Sequence, residues 1–266
     1  QYFVTDSNTK KKMKKRSMFT MLLVLFLCAS SVYSQTKVIA HRGYWDCEGS
    51  AQNSVTALNK AHEVGAYGSE FDVSITADGI PVVNHDDSIQ GFCIETSLYE
   101  QLKDLKLKNG ETLPTLEEYL IQGKKNQGTQ LILEIKPHKR VVNEDKAVAT
   151  ILYLVQKYQM EDQVEYISFS MNICKELIRR APSAQVSYLR GEVSPADLKT
   201  LGFSGLDYHY KVFDKHPEWI QEAKDAGLTI NVWTVDDPAV MESFVAKNVD
   251  FITTDKPVQL KEIIGK

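Results

Sequence analysis

The sequence predicts an α/β protein: a (β/α)8 barrel with a β-hairpin after strand 2 and a short insertion before strand 3. Eight apolar, strand-like runs alternate with helical patterns along residues 35–266, which lack low-complexity segments and charge blocks. Helical crossovers between strands are typical of a parallel sheet. An open doubly wound sheet is the alternative, but its usual glycine-rich phosphate loop after the first strand is missing, since Gly43 stands alone.

The individual elements follow from the spacing of apolar residues and from turn and capping residues. The predicted strands are residues 37–41, 69–74, 130–136, 164–169, 185–189, 205–209, 229–234 and 250–253. The predicted helices lie near residues 53–64, 115–124, 144–158, 171–180, 195–200, 215–226 and 237–247. Residues that can cap or open a helix are Asn53, Asn143, Ser194 with Pro195, and Asp237 with Pro238. Gly65 and Gly227 stand where helices should end.

One further apolar run, residues 80–85, is joined to the second strand by Ala77-Asp78-Gly79. An Asp-Gly pair between two strand-like runs predicts a β-hairpin. The run is therefore expected to lie antiparallel to the second strand and not to count as a barrel strand. If Asp78 and Gly79 form a two-residue turn, Asp72 faces His85 across the hairpin.

Residues 1–34 have the pattern of upstream sequence and a cleaved secretory signal. A basic cluster at 10–16 precedes an apolar run at 19–27 and then small residues. Translation is expected to start at Met13 and cleavage to follow Ser34, so that the protein is periplasmic or secreted. The apolar run is too short for a bilayer, which needs about 20 residues, so no stable membrane anchor is expected. Residues 35–266 are then a single barrel domain.

The charge balance narrows the range of partners. Residues 1–34 hold six of the 31 Lys and Arg and one of the 35 Asp and Glu, which leaves a formal charge of −9 on residues 35–266. This excess argues against nucleic acid or an anionic membrane as a partner, but allows a small anionic substrate in a local positive pocket. The composition leaves the oligomeric state open. Cys47, Cys93 and Cys174 remain in this part; a Cys47–Cys93 disulfide and three unpaired thiols are both open.

Charged side chains collect at the predicted carboxyl ends of the strands, where barrels of this kind have their active sites. Because side chains alternate along a strand, Glu70 and Asp72 share one face of the second strand, and Glu134 and Lys136 share one face of the third. Three converging carboxylates without a Cys–His pattern favour a hard cation, Ca²⁺ or Mg²⁺. The alternative is a salt-bridge network of these carboxylates with Arg42 and Lys136.

Two histidines and an arginine are expected at the same end of the barrel. His41 and Arg42 end the first strand, and His85 ends the hairpin. A guanidinium can bind two phosphate oxygens, and two imidazoles can serve as general base and general acid near neutral pH. The set suits a phosphate ester substrate. Asp255, after the last strand, is expected to position the final loop.

The ordered motifs that contain these residues resemble the glycerophosphodiester phosphodiesterase family, whose members are TIM barrels of the phospholipase-C-like phosphodiesterases. The motifs are I-A-H-R-G from residue 39, Q-N-S-V-T-A-L from 52, G-S-E-F-D-V-S-I-T-A-D-G-I-P-V-V-N-H-D from 68, L-E-I-K from 133, N-V-W-T-V from 231 and I-T-T-D-K-P from 252. Each motif is weak alone, but together they cover nearly all of residues 35–266 and their order is specific.

The resemblance implies metal-dependent hydrolysis of glycerophosphodiesters, or of a related polyol phosphodiester, to sn-glycerol 3-phosphate and an alcohol. The roles that it implies are acid/base catalysis for His41 and His85, metal binding for Glu70, Asp72 and Glu134, and substrate binding for Arg42, Lys136 and Trp233. The implied cofactor is a divalent metal, Ca²⁺ or Mg²⁺, and the implied partner is a small-molecule phosphodiester.

The sequence departs from the family at Gln52, where the family pattern P-E-N-T has Glu. An amide still forms hydrogen bonds but brings no negative charge. The lost charge could change the preferred metal or the substrate. Two alternative functions stay open: a phospholipase-type lyase that gives a cyclic phosphate, and a non-catalytic phosphodiester-binding relative.

Overall fold

The computed structural model describes residues 35–265, and the predicted signal segment lies outside them. The strands are β1 (Lys37–Ala40), β2 (Gly68–Ile75), β3 (Pro81–Val83), β4 (Ser88–Ile89), β5 (Phe92–Cys93), β6 (Gln130–Ile135), β7 (Val164–Ser168), β8 (Val186–Tyr188), β9 (Gly205–His209), β10 (Thr229–Trp233) and β11 (Phe251–Thr254). The helices are α1 (Val55–Glu63), α2 (Tyr99–Leu102), α3 (Leu116–Gly123), α4 (Val141–Lys157), α5 (Met171–Arg180), α6 (Pro195–Thr200), α7 (Val212–Lys215), α8 (Trp219–Asp225), α9 (Pro238–Ala246) and α10 (Pro257–Ile264).

Eight of these strands are parallel and close into a barrel, because β1 pairs with both β11 and β2. The order around the barrel is β1, β11, β10, β9, β8, β7, β6 and β2. This confirms the predicted (β/α)8 barrel and excludes the open sheet. Every predicted barrel strand is present within one residue of its expected bounds.

The helices follow the predicted pattern, but some helices and helix starts differ from the prediction. The predicted helix at 215–226 corresponds to α8, and the short helix α7 precedes it. No helix was expected at α2 or at α10, which follows the eighth strand. Ser194 and Asp237 cap α6 and α9 as predicted. Ser54, not Asn53, caps α1, and Asn143 lies inside α4 instead of opening it, with its amide donating to Glu95 Oε1 at 2.7 Å.

Two layers of apolar side chains stabilise the barrel. Outward-facing residues of the strands pack against the helices; Phe71 of β2 stacks on Tyr119 of α3, for example, with ring centroids 4.3 Å apart. Inward-facing residues fill the barrel, where Ile39, Ile132 and Ile167 form a buried cluster. The interior is therefore a packed core, which leaves its two ends for binding sites.

The hairpin after β2 is present, but the predicted register is wrong by one residue. Antiparallel pairing of β2 with β3 places Val73 opposite Val83, so that Asp72 lies opposite Asn84 and not opposite His85. The Asn84 amide nitrogen donates to the Asp72 carbonyl oxygen at 3.0 Å. The difference arises because the turn has three residues: the Gly79 nitrogen donates to the Thr76 carbonyl, and Gly79 takes a φ of +85°.

Residues 84–114 form the predicted insertion between the hairpin and α3. They contain β4, β5 and α2 around a small core of their own, which includes Ile89, Ile94 and Leu102. Glu111 attaches the insertion to the barrel, because its carboxylate accepts hydrogen bonds from Val55 N at 3.0 Å and from Thr56 N at 3.3 Å. The insertion therefore lies against the amino end of α1 and beside the loop that precedes it.

The structure has free thiols at Cys47, Cys93 and Cys174. Of the two alternatives left open by the sequence, it therefore has three unpaired thiols and not a Cys47–Cys93 disulfide. The Cys47 thiol donates to the Tyr44 carbonyl at 3.3 Å, and Cys174 is buried in the barrel wall.

Among residues 35–265, none of the helices combines the length and the apolar character that crossing a membrane requires.

Asp207 is a buried acid in the barrel interior. It lies on β9, is only 2% exposed, and its Oδ1 atom has no hydrogen-bond partner among the described residues. Burial raises the pKa of Asp207 from 3.8 to about 7. The carboxyl group therefore holds a proton in the folded protein at pH values where the unfolded chain has released it.

The Asp207→Asn substitution should stabilise the protein in a pH-dependent way. Because the pKa of Asp207 is higher in the folded state than in the unfolded state, the free energy of unfolding of the wild type falls as pH rises from about 4 to about 7. The free energy of unfolding of the variant should not fall in this way. The difference between variant and wild type should therefore grow by about 2–4 kcal/mol between pH 4 and pH 7. Urea unfolding at pH 4.5 and pH 8 measures the difference. The exposed Asp162→Asn is the control, and an Asp207→Asn effect equal at both pH values would contradict the assignment.

Candidate active site

A strained loop after β1 brings Arg42 to the carboxyl end of the barrel. Arg42 has a φ of +54°, and its backbone nitrogen donates to Glu70 Oε2 at 2.7 Å. Gly43 follows with a φ of +74°, and a Cβ atom on it would lie 2.6 Å from the Ala57 Cβ atom. Only glycine allows α1 to approach the loop this closely. The positive φ of Arg42 is unfavourable for a side chain of this size and is maintained by the contact with Glu70.

Glu70, Asp72 and Glu134 meet at this end, as the side-chain alternation predicts. Each offers an oxygen within 4.8 Å of the others, and their exposed fractions are 4%, 1% and 6%. The pairing of β2 with β6 explains the convergence, because its register places Asp72 directly beside Glu134. The structure thus brings together the three residues predicted as metal ligands.

Two cations partly balance these carboxylates. Lys136 Nζ lies 3.1 Å from Asp72 Oδ1 and 2.8 Å from Glu134 Oε1, and Arg42 Nε lies 3.8 Å from Asp72 Oδ2. The predicted salt-bridge network is therefore present as well. It leaves Glu70 without a cationic partner in the described residues, so the network does not account for all three acids.

Asn53 holds Asp72 in place through two hydrogen bonds. Its amide nitrogen donates to Asp72 Oδ2 at 2.9 Å, and its side-chain oxygen accepts from the Asp72 backbone nitrogen at 3.1 Å. These bonds explain why Asn53 does not cap α1. Asn53 also has a φ of +61°, and its nitrogen donates to the Arg42 carbonyl at 3.0 Å. A residue that the sequence marked only as a helix start therefore connects the first loop to the acidic cluster.

The three carboxyl groups have different affinities for protons. Burial, together with the neighbouring charges of Asp72 and Glu134, raises the pKa of Glu70 well above its ordinary value. Burial and the charge of Asp72 raise the pKa of Glu134 to about 8. Burial acts in the same direction on Asp72, but Lys136 and the hydrogen bond from Asn53 hold its pKa below the ordinary value. Without a bound cation, Asp72 is therefore the ionised member near neutral pH.

The geometry fits a divalent cation at this cluster. Glu134 Oε1 is buried and accepts no hydrogen bond of good geometry from the described residues, although Lys136 Nζ lies close by. Three buried oxygens from Glu70, Asp72 and Glu134 within 4.8 Å of one another match the oxygen ligands that Ca²⁺ and Mg²⁺ take. These three residues could therefore hold such an ion.

His41 is oriented by the last loop of the barrel. Its Nδ1 atom lies 2.8 Å from Asp255 Oδ1, and Trp45 Nε1 donates to the same oxygen at 3.0 Å. Although burial opposes it, the hydrogen bond from His41 keeps the pKa of Asp255 below its ordinary value. Asp255 is thus an ionised partner that leaves the Nε2 atom of His41 as the nitrogen available to a ligand.

His85 follows β3 and lies at the more open side of the site. Its side chain is 39% exposed, and its Nδ1 atom is 2.7 Å from Asp86 Oδ1. His85 shares with Arg42 a pocket of about 280 Å³ between the barrel end and the insertion. Despite the corrected hairpin register, His85 lies on the same side as the acidic cluster, because it lines a pocket with Arg42, whose Nε atom is 3.8 Å from Asp72 Oδ2.

Gln52 contacts Arg42 and not the acidic cluster. Its side-chain oxygen accepts a hydrogen bond from Arg42 Nη1 at 2.8 Å. The amide therefore positions the guanidinium without cancelling its charge, which a carboxylate at the same place would do. The residue at which the sequence departs from the family pattern therefore sets the position of Arg42.

Trp233 lies at the carboxyl end of β10 among aromatic neighbours. Its indole nitrogen donates to the Asp207 carbonyl at 2.9 Å, and its ring makes edge contacts with Phe169 and His209 at centroid distances of 5.6 and 5.1 Å. This side of the rim is therefore an apolar wall.

Another cavity, of about 660 Å³, lies at the opposite end of the barrel, away from the acidic cluster, where Lys37, Tyr67 and Thr129 line it.

The comparisons with known proteins agree with this geometry. The sequence matches the model of the Glycerophosphoryl diester phosphodiesterase family over residues 41–259. The chain belongs to this family. A glycerophosphodiester phosphodiesterase from Caldanaerobacter subterraneus is 30% identical over 247 residues, which cover 87% of this chain and 99% of the relative. Membership confirms the predicted family and its enzyme class, a phosphoric diester hydrolase.

Solved structures of relatives have the same barrel. A glycerophosphodiester phosphodiesterase from Parabacteroides distasonis is 52% identical with a TM-score of 0.86, covering 87% of this chain and 98% of that one. An Oleispira antarctica phosphodiesterase, solved in complex with the product sn-glycerol-3-phosphate, is 26% identical with a TM-score of 0.75 over the same shares of the two chains. The TIM barrel predicted from the sequence is thus the fold of these relatives.

Cation binding to this phosphodiesterase should release protons and strengthen with pH. A cation competes with the protons held by Glu70 and Glu134, so affinity should rise by about tenfold per pH unit for each displaced proton up to about pH 8. Titration calorimetry with Ca²⁺ or Mg²⁺, in buffers of different ionisation enthalpy, measures both quantities.

Two variants make this test specific. Glu134→Gln removes one ligand charge and should lower both the affinity and the number of protons released. Glu165→Gln alters another carboxyl group whose pKa is raised by burial, but one that hydrogen-bonds Tyr67 and lies outside the acidic cluster, and should change neither. Cation affinity independent of pH in the wild type would contradict the protonation states given for the cluster.

Proposed function

We propose that this enzyme hydrolyses glycerophosphodiesters to sn-glycerol 3-phosphate and an alcohol, with a divalent cation held by Glu70, Asp72 and Glu134. The observation that carries the proposal is the meeting of this buried acidic cluster with Arg42 and Lys136 at one end of the barrel. The product-bound relative supports the choice of substrate class. Ca²⁺ and Mg²⁺ both suit the ligand set, and activity with each should be compared.

The charges around the site favour a phosphodiester anion. A bound divalent cation would neutralise the substrate's phosphate charge and polarise its phosphorus–oxygen bonds. Arg42 presents a planar guanidinium that Gln52 positions without neutralising it, so it can hold a phosphate oxygen. Lys136 lies between Asp72 and Glu134 and is proposed to contact the phosphate from the opposite side. Trp233 is proposed to support the non-phosphate part of the substrate through its apolar face.

The two histidines are proposed to move the protons. In hydrolysis, a water oxygen forms a bond to phosphorus, and the bond from phosphorus to the alcohol oxygen breaks. One imidazole accepts the proton of the attacking water, and the other donates a proton to the departing alkoxide. Both His41 and His85 have Nδ1 beside a carboxylate, Asp255 and Asp86 respectively, which leaves Nε2 on each for this exchange. In this proposal each imidazole carries one proton, and His85 is the more exposed of the two.

His41→Ala and His85→Ala should each abolish turnover without unfolding the protein. Loss of a general acid or base typically costs about 10²–10⁴ in rate. The measurement is kcat for a panel of glycerophosphodiesters with Ca²⁺, Mg²⁺ or chelator, alongside circular dichroism of each variant. His62→Ala is the matched control, because His62 bonds Thr129 near the other end of the barrel.

The same experiment separates the alternatives. Near-normal kcat in either variant would exclude the two-histidine mechanism. No metal-dependent turnover of any diester by the wild type would favour a binding protein instead. A cyclic phosphate that accumulates before labelled oxygen from water enters the product would indicate the lyase reaction.

Asp255→Asn should lower kcat by at least about tenfold with little change in KM. The substitution removes the charge that holds His41 and supports its protonated form during the reaction, whereas Asp255 itself is not proposed to touch the substrate. Trp45→Phe, which removes only the second hydrogen bond to Asp255, should have a smaller effect. Asp255→Glu should recover part of the lost rate. A wild-type kcat in Asp255→Asn would show that Asp255 only fixes the loop.

A further inference from the structure

The pocket of about 280 Å³ beside the acidic cluster is here named the insertion pocket. One of its walls is not used in the proposed reaction. Its inner wall is formed by Arg42, Gln52 and His85 at the barrel end, and its outer wall includes Lys106 and Lys108 of the insertion. A neighbouring pocket of about 300 Å³ shares Gln52 and Lys108 with it and so extends the space outward. A substrate phosphate near Arg42 would have its substituent close to these two lysines.

The insertion pocket has an excess of positive charge. Among the described residues, Lys106 and Lys108 form no ion pair with any carboxylate. Asp86 is the only acid among the described residues that line the pocket, and it already faces His85 Nδ1 at 2.7 Å. Two exposed lysines, in a protein of net negative charge, therefore line a pocket that also contains Arg42 and His85.

The lysines are held in place by the attachment of the insertion. Glu111 bonds the backbone at the start of α1, and Asn109 Nδ2 donates to the Gly49 carbonyl at 3.3 Å. Gln90 Nε2 donates to the Lys106 carbonyl at 2.9 Å. Leu107 packs on the small core of the insertion, whereas Lys106 and Lys108 on either side of it are exposed. Their positions relative to Gln52 are thus set by the fold.

Gln52 adds to the positive character by being neutral. Its oxygen holds Arg42 Nη1 at 2.8 Å, while the nearest carboxylate oxygen to the guanidinium belongs to Asp72, 3.8 Å from Arg42 Nε. A glutamate in place of Gln52 would add a negative charge between Arg42 and Lys108 in the shared part of the two pockets. The amide keeps the pocket attractive for an anion.

We propose that the insertion pocket binds an anionic group on the alcohol part of the substrate, a carboxylate or a phosphate monoester. This deepens the proposed function and rests on it. The enzyme then prefers glycerophosphodiesters of acidic alcohols over those of neutral alcohols, because Lys106 and Lys108 attract the second charge. Gln52 contributes as a positioning residue that leaves the charge of Arg42 available.

The test compares kcat/KM for three diesters of glycerol 3-phosphate, in which the alcohol is glycerol, glyceric acid or glycerol phosphate. The wild type should prefer the two anionic diesters by about tenfold or more at low salt, since each exposed ion pair contributes modestly and is screened by salt. In the K106Q/K108Q variant this ratio should fall toward one, mainly through KM. The two anionic substrates distinguish a carboxylate from a phosphate monoester as the bound group.

Two further variants keep the result interpretable. K125Q/K199Q removes two exposed lysines that follow or lie at the ends of α3 and α6, away from the pocket, and should leave the ratio as in the wild type. Gln52→Glu should lower the ratio without touching either lysine, which tests the same charge effect if K106Q/K108Q does not fold.

The outcomes separate this inference from the proposed function. A wild-type ratio near or below one, or a ratio unchanged in both K106Q/K108Q and Gln52→Glu, would overturn the inference while the enzyme remains a glycerophosphodiesterase. A fall in the control K125Q/K199Q equal to that in K106Q/K108Q would also overturn it, since only the overall charge would then matter. Failure of the wild type to cleave any of the three diesters with Ca²⁺ or Mg²⁺ would instead overturn the proposed function, and this inference with it.

Discussion

The burial of three carboxylates at one end of the barrel is the constraint on which the rest of the site depends. Isolated charges are too costly to bury, so Glu70, Asp72 and Glu134 require protons, cations or hydrogen-bond donors. The surrounding structure supplies them unequally, because Lys136 pairs with both Asp72 and Glu134, whereas Asn53 donates to Asp72 and a backbone N–H donates to Glu70. The strained backbone at Arg42 also helps to stabilise the buried carboxylates, because it directs a backbone N–H at Glu70. A site that is electrostatically incomplete in this way is prepared for a cation.

The division between barrel and loops follows from the same constraint. The barrel strands carry the acids, because adjacent parallel strands hold their side chains in fixed register. The two histidines proposed to transfer protons lie on the loops, where a carboxylate contacts each imidazole: Asp255 contacts His41, and Asp86 contacts His85. Rigid strands suit a cation site that tolerates little movement, and loops suit groups that must exchange protons with a substrate and with water.

The insertion extends this arrangement beyond the barrel. A small apolar core joins it to Val82 of β3, and Glu111 connects it to the start of α1, next to the loop that carries Gln52. Substrate selection can therefore change by substitution on the insertion or at position 52 while the acidic cluster stays the same. The neutral amide of Gln52 and the unpaired lysines of the insertion act in the same direction, toward a more positive pocket.

Residue patterns along the chain were sufficient to predict the barrel, its strands to within one residue, and the convergence of the three acids, because alternation along each strand assigns a side chain to a face. They could not determine the hairpin register, which depended on whether the turn had two or three residues. Nor could they show that Asn53 binds Asp72 or that Asp255 contacts His41 across 214 residues of sequence. These contacts, and the proton affinities of the buried acids, depend on how segments distant in sequence pack together. Local patterns specify faces and ends of elements, whereas neighbours from distant segments and their desolvation arise only when the barrel closes.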